Sequence, residues 1–221
     1  MSGGPAAGGG RWVAVAPERL EGWLTRFAER HGSLAAEARP EAVTAVAADG
    51  SRAECAIAFP PLSGEGEELA RLVTHSLAPH TYGVLLVRRG GHAAAVVDGV
   101  ELTASRVGSR PVHGRSAAGG WSQQRFARRR EGQTRVAVEA AAGLALHILG
   151  PAVNRMECLV TGGDRTLVDT VLGDPRLAGI RALPRGPFLP VPDPGRAVLL
   201  AACATAREVR IRLIEADPAT A

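Results

Sequence analysis

The stretch YGVLLVRRGGHAAAVVDGVELTASRV, residues 82–107, decides the fold. It holds three apolar, β-branched runs separated by two short glycine turns. Residues 82–88 form a strand centred on Val84, Leu85, Leu86 and Val87. Gly90 and Gly91 turn the chain back into residues 92–97, and Asp98 and Gly99 turn it again into residues 100–107. Two-residue turns rich in glycine join antiparallel neighbours, so the spacing predicts an antiparallel meander.

Downstream, residues 108–120 have no periodicity and several Gly, Ser and Pro, the composition of a loop. Ser122 is the expected N-cap of a long helix running to Leu149, with Phe126, Ala137, Ala141, Leu144 and Ile148 at helical spacing. Gly132 is a possible kink, and Gly150 with Pro151 is a stop. A strand at 156–160 follows, then a turn at Thr161, Gly162, Gly163 and Asp164, and a short helix ending at Leu172. Residues 184–194 read as a proline-rich connection, 197–206 as a helix and 208–214 as a last strand.

Upstream, residues 12–15 form a short strand. Pro17 opens a helix whose apolar stripe is Leu20, Trp23, Leu24 and Phe27, and Gly32 ends it. Strands at 42–47 and 53–59 flank an Asp49-Gly50 turn. A loop with Pro60 and Pro61 leads into a helix at 67–77. The expected architecture is α/β (α+β): a mixed sheet with an antiparallel meander and flanking helices. The expected organisation is a disordered leader at 1–10, one domain at 11–216 and a tail at 217–221. Within the domain, 11–80 is an N-terminal strand and helix part and 81–216 a core.

All 26 basic side chains are arginine, and 15 prolines and 27 glycines accompany them, a bias that points to a GC-rich genome. The net charge is +4, but residues 106–135 hold eight arginines against one acid, Glu131, leaving −3 for the rest. An acidic body with one basic segment is the footprint expected for a polyanion partner. Cys55, Cys158 and Cys203 have apolar flanks and no metal-ligand spacing, so buried free thiols and no metal are expected. His75, His80 and His92 lack partners at ligand spacing, and His147 reads as a core or boundary residue. No secretory pattern opens the chain, and the longest apolar run, 136–149, is interrupted by Glu139 and His147, so a cytoplasmic protein is expected, with no membrane partner.

The basic segment has internal structure. Gly119 and Gly120 let backbone approach a ligand closely, and Ser122, Gln123 and Gln124 supply neutral donors and acceptors. Arg125, Arg128 and Arg129 share one helix face, with Arg130 next to them. A helix N-terminus adds unpaired N–H groups and favours anions.

At these residues the chain resembles a known family. His113-Gly114-Arg115, Gly119-Gly120 and Arg125-Phe126-Ala127-Arg128 resemble the central-domain loop and helix of eukaryotic and archaeal peptide-release factors, in which a Gly-Gly-Gln tip precedes the helix. The fuller string from Gly119 to Arg130 resembles the actinobacterial branch of the Vms/Ankzf-like release factors, the VLRF family, whose eukaryotic members carry a Gly-Gly-Ser-Gln tip. The resemblance implies an RNase H-like core and hydrolysis of the ester joining nascent peptide to tRNA, on stalled ribosomes or separated large subunits. It implies no cofactor and no DNA partner. By this reading Gly119, Gly120, Ser122, Gln123 and Gln124 form the catalytic tip, and His113, Arg115, Trp121, Arg125, Arg128, Arg129 and Arg130 contact RNA.

The tip departs from the family pattern. Aligned without gaps from Arg125 backward, the release-factor glutamine falls on Trp121, and the glutamine of Gly-Gly-Ser-Gln falls on Ser122. One inserted residue restores a Ser-Gln pair at Ser122 and Gln123, with Gln124 as runner-up. Trp121 either stacks on a base of tRNA or ribosomal RNA or plugs the loop onto the domain. The departure keeps open a second class, a non-catalytic ribosome- or tRNA-binding factor of the same fold.

Overall fold

The computed structural model describes residues 9–109 and 123–216, and side chains within these except at 109–134. The chain divides into two compact units, Met1–Ala78 with Arg207–Ala221, and Pro79–Ala206.

The first unit is an antiparallel sheet under two helices. Its strands are β1 (Arg11–Val15), β2 (Leu34–Arg39), β3 (Ala42–Ala47), β4 (Arg52–Ala56) and β10 (Val209–Ile214), in the spatial order β1-β10-β4-β3-β2. Along β10 the residues alternate between buried Val209, Ile211 and Leu213 and more exposed Arg210, Arg212 and Ile214. That is the pattern of a sheet covered on one face. Helices α1 (Pro17–His31) and α2 (Glu68–Leu77) supply the cover, burying Leu20, Leu24, Phe27 and Leu72 against Val43, Ala45, Cys55 and Ile211.

Strand β2 carries no strand signal in the sequence. Its residues, Leu-Ala-Ala-Glu-Ala-Arg, include no β-branched or aromatic side chain. Pairing with β3 from Leu34↔Ala47 to Arg39↔Ala42 holds it in place. Strand β4 ends at Ala56, short of the expected Phe59, which adopts a left-handed φ of 68° ahead of the two prolines.

The second unit contains β5 (Thr81–Arg88), β6 (Gly91–Asp98), β7 (Glu101–Ser109), β8 (Cys158–Gly163) and β9 (Arg185–Leu189), ordered β7-β6-β5-β8-β9. The first three form the expected meander. Strand β8 pairs parallel to β5, and β9 parallel to β8. Numbered within the unit, this is the 3-2-1-4-5 order of an RNase H-like sheet. The fold class is thus the mixed α/β one that the sequence indicates, with two sheets.

Two expectations for this unit need correction. Thr161, Gly162 and Gly163 are strand, not turn, and Asp164 follows as the N-cap of α4 (Arg165–Leu172), accepting from the Leu167 N–H at 3.1 Å. The glycines serve close approach: a Cβ on Gly162 or Gly163 would overlap the carbonyl oxygen of Leu189 or Val87. Residues 185–189 are likewise strand, not connection. Pro187 is tolerated because β9 is an edge, where a missing N–H costs no ladder bond.

Helices sandwich this sheet. On one face, α3 (Gln123–Leu149) and α4 pack Ala141, Ala142, Ala145, Leu149, Val168, Val171 and Leu172 against Leu85, Val87, Ala94, Val96 and Leu159. On the other, α6 (Arg196–Ala206) receives the Tyr82 hydroxyl on the Cys203 carbonyl at 2.7 Å. A short α5 (Ala178–Ala182) and 3-10 turns at Gly150–Arg155 and Pro175–Leu177 complete the unit.

The expectation that no apolar run reaches membrane-span length is also corrected. Arg135–Arg155 is long and apolar enough by length and composition. In the structure, α3 ends inside it at Leu149, and its alanine face lies against the sheet. His147, expected in the core or at its boundary, is exposed because it falls on the opposite side of α3. The three cysteines are buried, and desolvation raises the thiols of Cys55 and Cys158 to about 12 and that of Cys203 to about 11.

Leu159 is fully buried between β5 and α3. Leu159→Ala is expected to cost about 2–5 kcal/mol through reduced burial and a cavity, read as a lower denaturation midpoint at unchanged slope.

Candidate active site and RNA interface

The candidate site is built where β7 hands the chain to α3. Strand β7 ends at Ser109, opposite Gly91, and α3 starts at Gln123. Of the expected site residues, His113, Arg115, Gly119, Gly120, Trp121 and Ser122 lie outside the described residues. Gln123, Gln124, Arg125, Arg128, Arg129 and Arg130 lie within the first eight residues of α3. Gln123 is the first helical residue, so its N–H and those of Gln124 and Arg125 have no acceptor within the helix.

This arrangement depends on how α3 is held. Among its described side chains, burial begins at Ala141, while Arg135 and Val136 are exposed. At 1.5 Å of rise per residue, Gln123 lies about 27 Å along the axis from Ala141. The anchored part is further clamped by Arg176, whose guanidinium reaches Glu139 of α3 at 2.7 Å and Asp174 at 2.6 Å. Hydrogen bonds from Arg176 lower the Asp174 carboxyl to about 2.

Two groups on β6 and β7 extend the site beyond the residues expected from sequence. His92 faces Gly108 across the strands, and a Cβ on Gly108 would overlap the imidazole. Burial lowers the His92 pKa, favouring the neutral ring near the root of the 110–122 segment. Arg106 is exposed, two residues before Gly108, with no ion pair among the described residues. Its place in the basic window was the only sequence signal for it; the His92–Gly108 contact had none, because it depends on β6–β7 register. At the same sheet end, Arg88 closes the β5–β6 hairpin onto residues 191–193, donating to the Val191 carbonyl at 2.8 Å and pairing with Asp193 at 3.3 Å. Among the described residues, no cluster of His, Cys, Asp or Glu could hold a metal. His75 is instead buried against Ser63 and Phe59, and His80 pairs with Glu157 at 2.7 Å.

The chain belongs to the actinobacteria/chloroflexi VLRF1 release factors, whose family model matches residues 80–212. It is a release factor of translation, and that family implies interaction with ribosome and tRNA. Among solved structures it is similar to one described as the Vms1 mitochondrial localization core, at 8% identity and a TM-score of 0.47, covering 90% of this chain and 83% of that one. A second, described as an archaeal protein, is 12% identical with a TM-score of 0.36, covering 70% of this chain and 47% of that one. No curated protein matches.

The Arg176 clamp has a pH signature. Because the folded Asp174 pKa lies below its ordinary value of 3.8, the stabilisation is present above about pH 4 and vanishes as pH falls toward about 2. Arg176→Ala is expected to flatten stability against pH across that window, measured by denaturant melts at stepped pH, with a small effect because the pair is exposed.

Proposed function

We propose that this release factor is a peptidyl-tRNA hydrolase acting on stalled ribosomes or separated large subunits, in the cytoplasm. The observation that carries the reading is the start of α3 at Gln123, directly after the Gly119–Ser122 motif and with four arginines in the helix's first eight residues. Family membership supports the substrate class.

The chemistry asks for positioning more than for acid–base groups. A water oxygen attacks the ester carbonyl carbon, the bond to the tRNA 3′-oxygen breaks, and that oxygen leaves as a hydroxyl after taking a proton. The loop glutamine, Gln123 with Gln124 as alternative, orients the water through its amide, which carries no charge to desolvate. The unpaired N–H groups at the helix start stabilise charge developing on the carbonyl oxygen. Ribosomal RNA and the tRNA 2′-hydroxyl share the proton transfer. Gly119 and Gly120 allow close backbone approach, and Ser122 completes the tip. Trp121, His113, Arg115, Arg125, Arg128, Arg129 and Arg130 hold RNA.

Single-turnover peptide release from purified large subunits carrying peptidyl-tRNA tests this. Gln123→Ala is expected to slow release by roughly 10²-fold or more, the scale of removing one positioned polar group at a transition state. Unchanged release in Gln123→Ala, Gln124→Ala and the double variant would sink the mechanism. Trp121 at the gapless position of the glutamine favours one rival, a binding-only factor, which predicts no release by wild type but salt-sensitive binding to the subunit.

Arg128→Glu with Arg129→Glu is expected to weaken subunit binding and to shallow its salt dependence by about 0.7 or more for each phosphate that is no longer neutralised. Binding isotherms over a salt series read this out. Equal affinity and slope in wild type and variant would remove the helix from the RNA interface.

A further inference from the structure

The second unit carries a concave pocket of about 180 Å³ between α4 and the edge strand β9. Thr161, Arg165, Val168, Asp169, Arg185, Gly186 and Phe188 line it, and no sequence motif marks any of them as a site residue. Its volume is that of about six liquid waters, enough for a phosphate or part of a nucleotide.

The chemistry of the walls is specific. The Arg165 guanidinium lies over the Phe188 ring, 3.9 Å from its centroid. One guanidinium face is thus held on an aromatic ring, and a planar cation stacked in this way can take a nucleobase on its other face. Arg185 is exposed on the strand below. Neither arginine forms an ion pair among the described residues, a state shared by Arg19, Arg52 and Arg210. Two uncompensated cations and an aromatic platform around one concavity suit a phosphodiester with its base. Asp169 is the single opposing charge in the lining.

The pocket runs along β9, with Arg185 opposite Leu159 toward one end and Arg165, at the start of α4, at the end nearest the candidate tip. The Asp164 N–H donates to the Val87 carbonyl at 2.8 Å, fixing the start of α4 beside the end of β5. The adjoining end of β6, Gly91, pairs with Ser109, where the chain leaves for the candidate tip. Phe188 pairs with Thr161, two residues from Leu159, whose side chain is buried on the α3 face. Arg165 therefore shares both the sheet end and the sheet face of the start of α3. Four strand spacings separate β9 from β7, about 19 Å.

We propose that this pocket is a second RNA subsite, taking one nucleotide of ribosomal RNA or tRNA with its phosphate on Arg185 and its base on Arg165. The inference rests on the release-factor reading and adds a contact that orients the unit about its sheet axis.

The test is equilibrium binding of the full chain to large subunits carrying peptidyl-tRNA, over a salt series. Arg165→Ala with Arg185→Ala is expected to lower affinity several-fold and to shallow the salt slope by about 0.7 for each phosphate left without its arginine. Lysine separates the roles: Arg185→Lys keeps a point charge and most of the affinity, and Arg165→Lys removes the planar stack and weakens binding. Asp169→Asn is expected to tighten it. All three positions are exposed, and an unchanged denaturation midpoint checks the fold of each variant. If Arg128→Glu with Arg129→Glu weakens binding but the double alanine variant matches wild type in affinity and slope, the pocket is not a subsite and the RNA reading stands. If neither variant differs from wild type, both readings fall.

Discussion

The second unit depends on one packing constraint, the close seat of a small-residue helix face on the RNase H-like sheet. Ala141, Ala142 and Ala145 let α3 approach β5 and β6, and Leu149 fills the end of the seat beside Gly83 and Met156. Alanine faces give little burial per residue, so the seat needs length and a lock. Length comes from continuing to Leu149, and the lock from Glu139, Arg176 and Asp174. Among the described side chains of α3, Arg135 and Val136 are exposed and full burial starts at Ala141.

Ion pairing is uneven among the described arginines. Arg88, Arg176, Arg207 and Arg212 are each compensated by a nearby carboxylate. Arg106 and Arg165 form no ion pair among the described residues, and they flank the sheet end where the chain leaves for α3. The 106–135 window holds eight arginines, Arg106 among them, against one acid, a charge segregation that suits a polyanion partner. The net charge of +4 conceals this, because it averages a basic window with an acidic remainder.

What could be read from the sequence follows from whether the determining contacts are local. The meander was legible since its turns, Gly90-Gly91 and Asp98-Gly99, and its apolar runs are contiguous. The two bounds of α3 were legible from Ser122 ahead of it and from Gly150-Pro151 behind it. Strand β2 was hidden because three alanines in six residues carry no strand preference and only β3 holds them extended. Strand β9 was hidden because Pro187 and its flanking prolines signal a connection wherever edge position is unknown. The place of β10 between β1 and β4 joins residues far apart in the chain and leaves no local trace. In the site, the motif from Gly119 to Arg130 was legible as a string, whereas His92 against Gly108 requires the β6–β7 register. The pocket was not legible at all: Arg165 and Arg185 are brought together only by parallel pairing of β8 with β9.

The parallel pair β8–β9 also bears on why such a unit suits RNA on a ribosomal surface. A single helix bound to a nucleic-acid backbone would leave rotation about its own axis free. A second contact about 19 Å across the sheet removes that freedom. The sheet supplies the rigid spacer, since Gly162 and Gly163 let β5, β8 and β9 approach so closely that no side chain could be added between them. Orientation matters for ester hydrolysis because the effective concentration of a positioned water falls steeply with small misplacement. On the proposed reading, a tip at Gln123 would gain less from more arginines on its own helix than from a contact at the opposite edge, where Arg165 and Arg185 line the pocket.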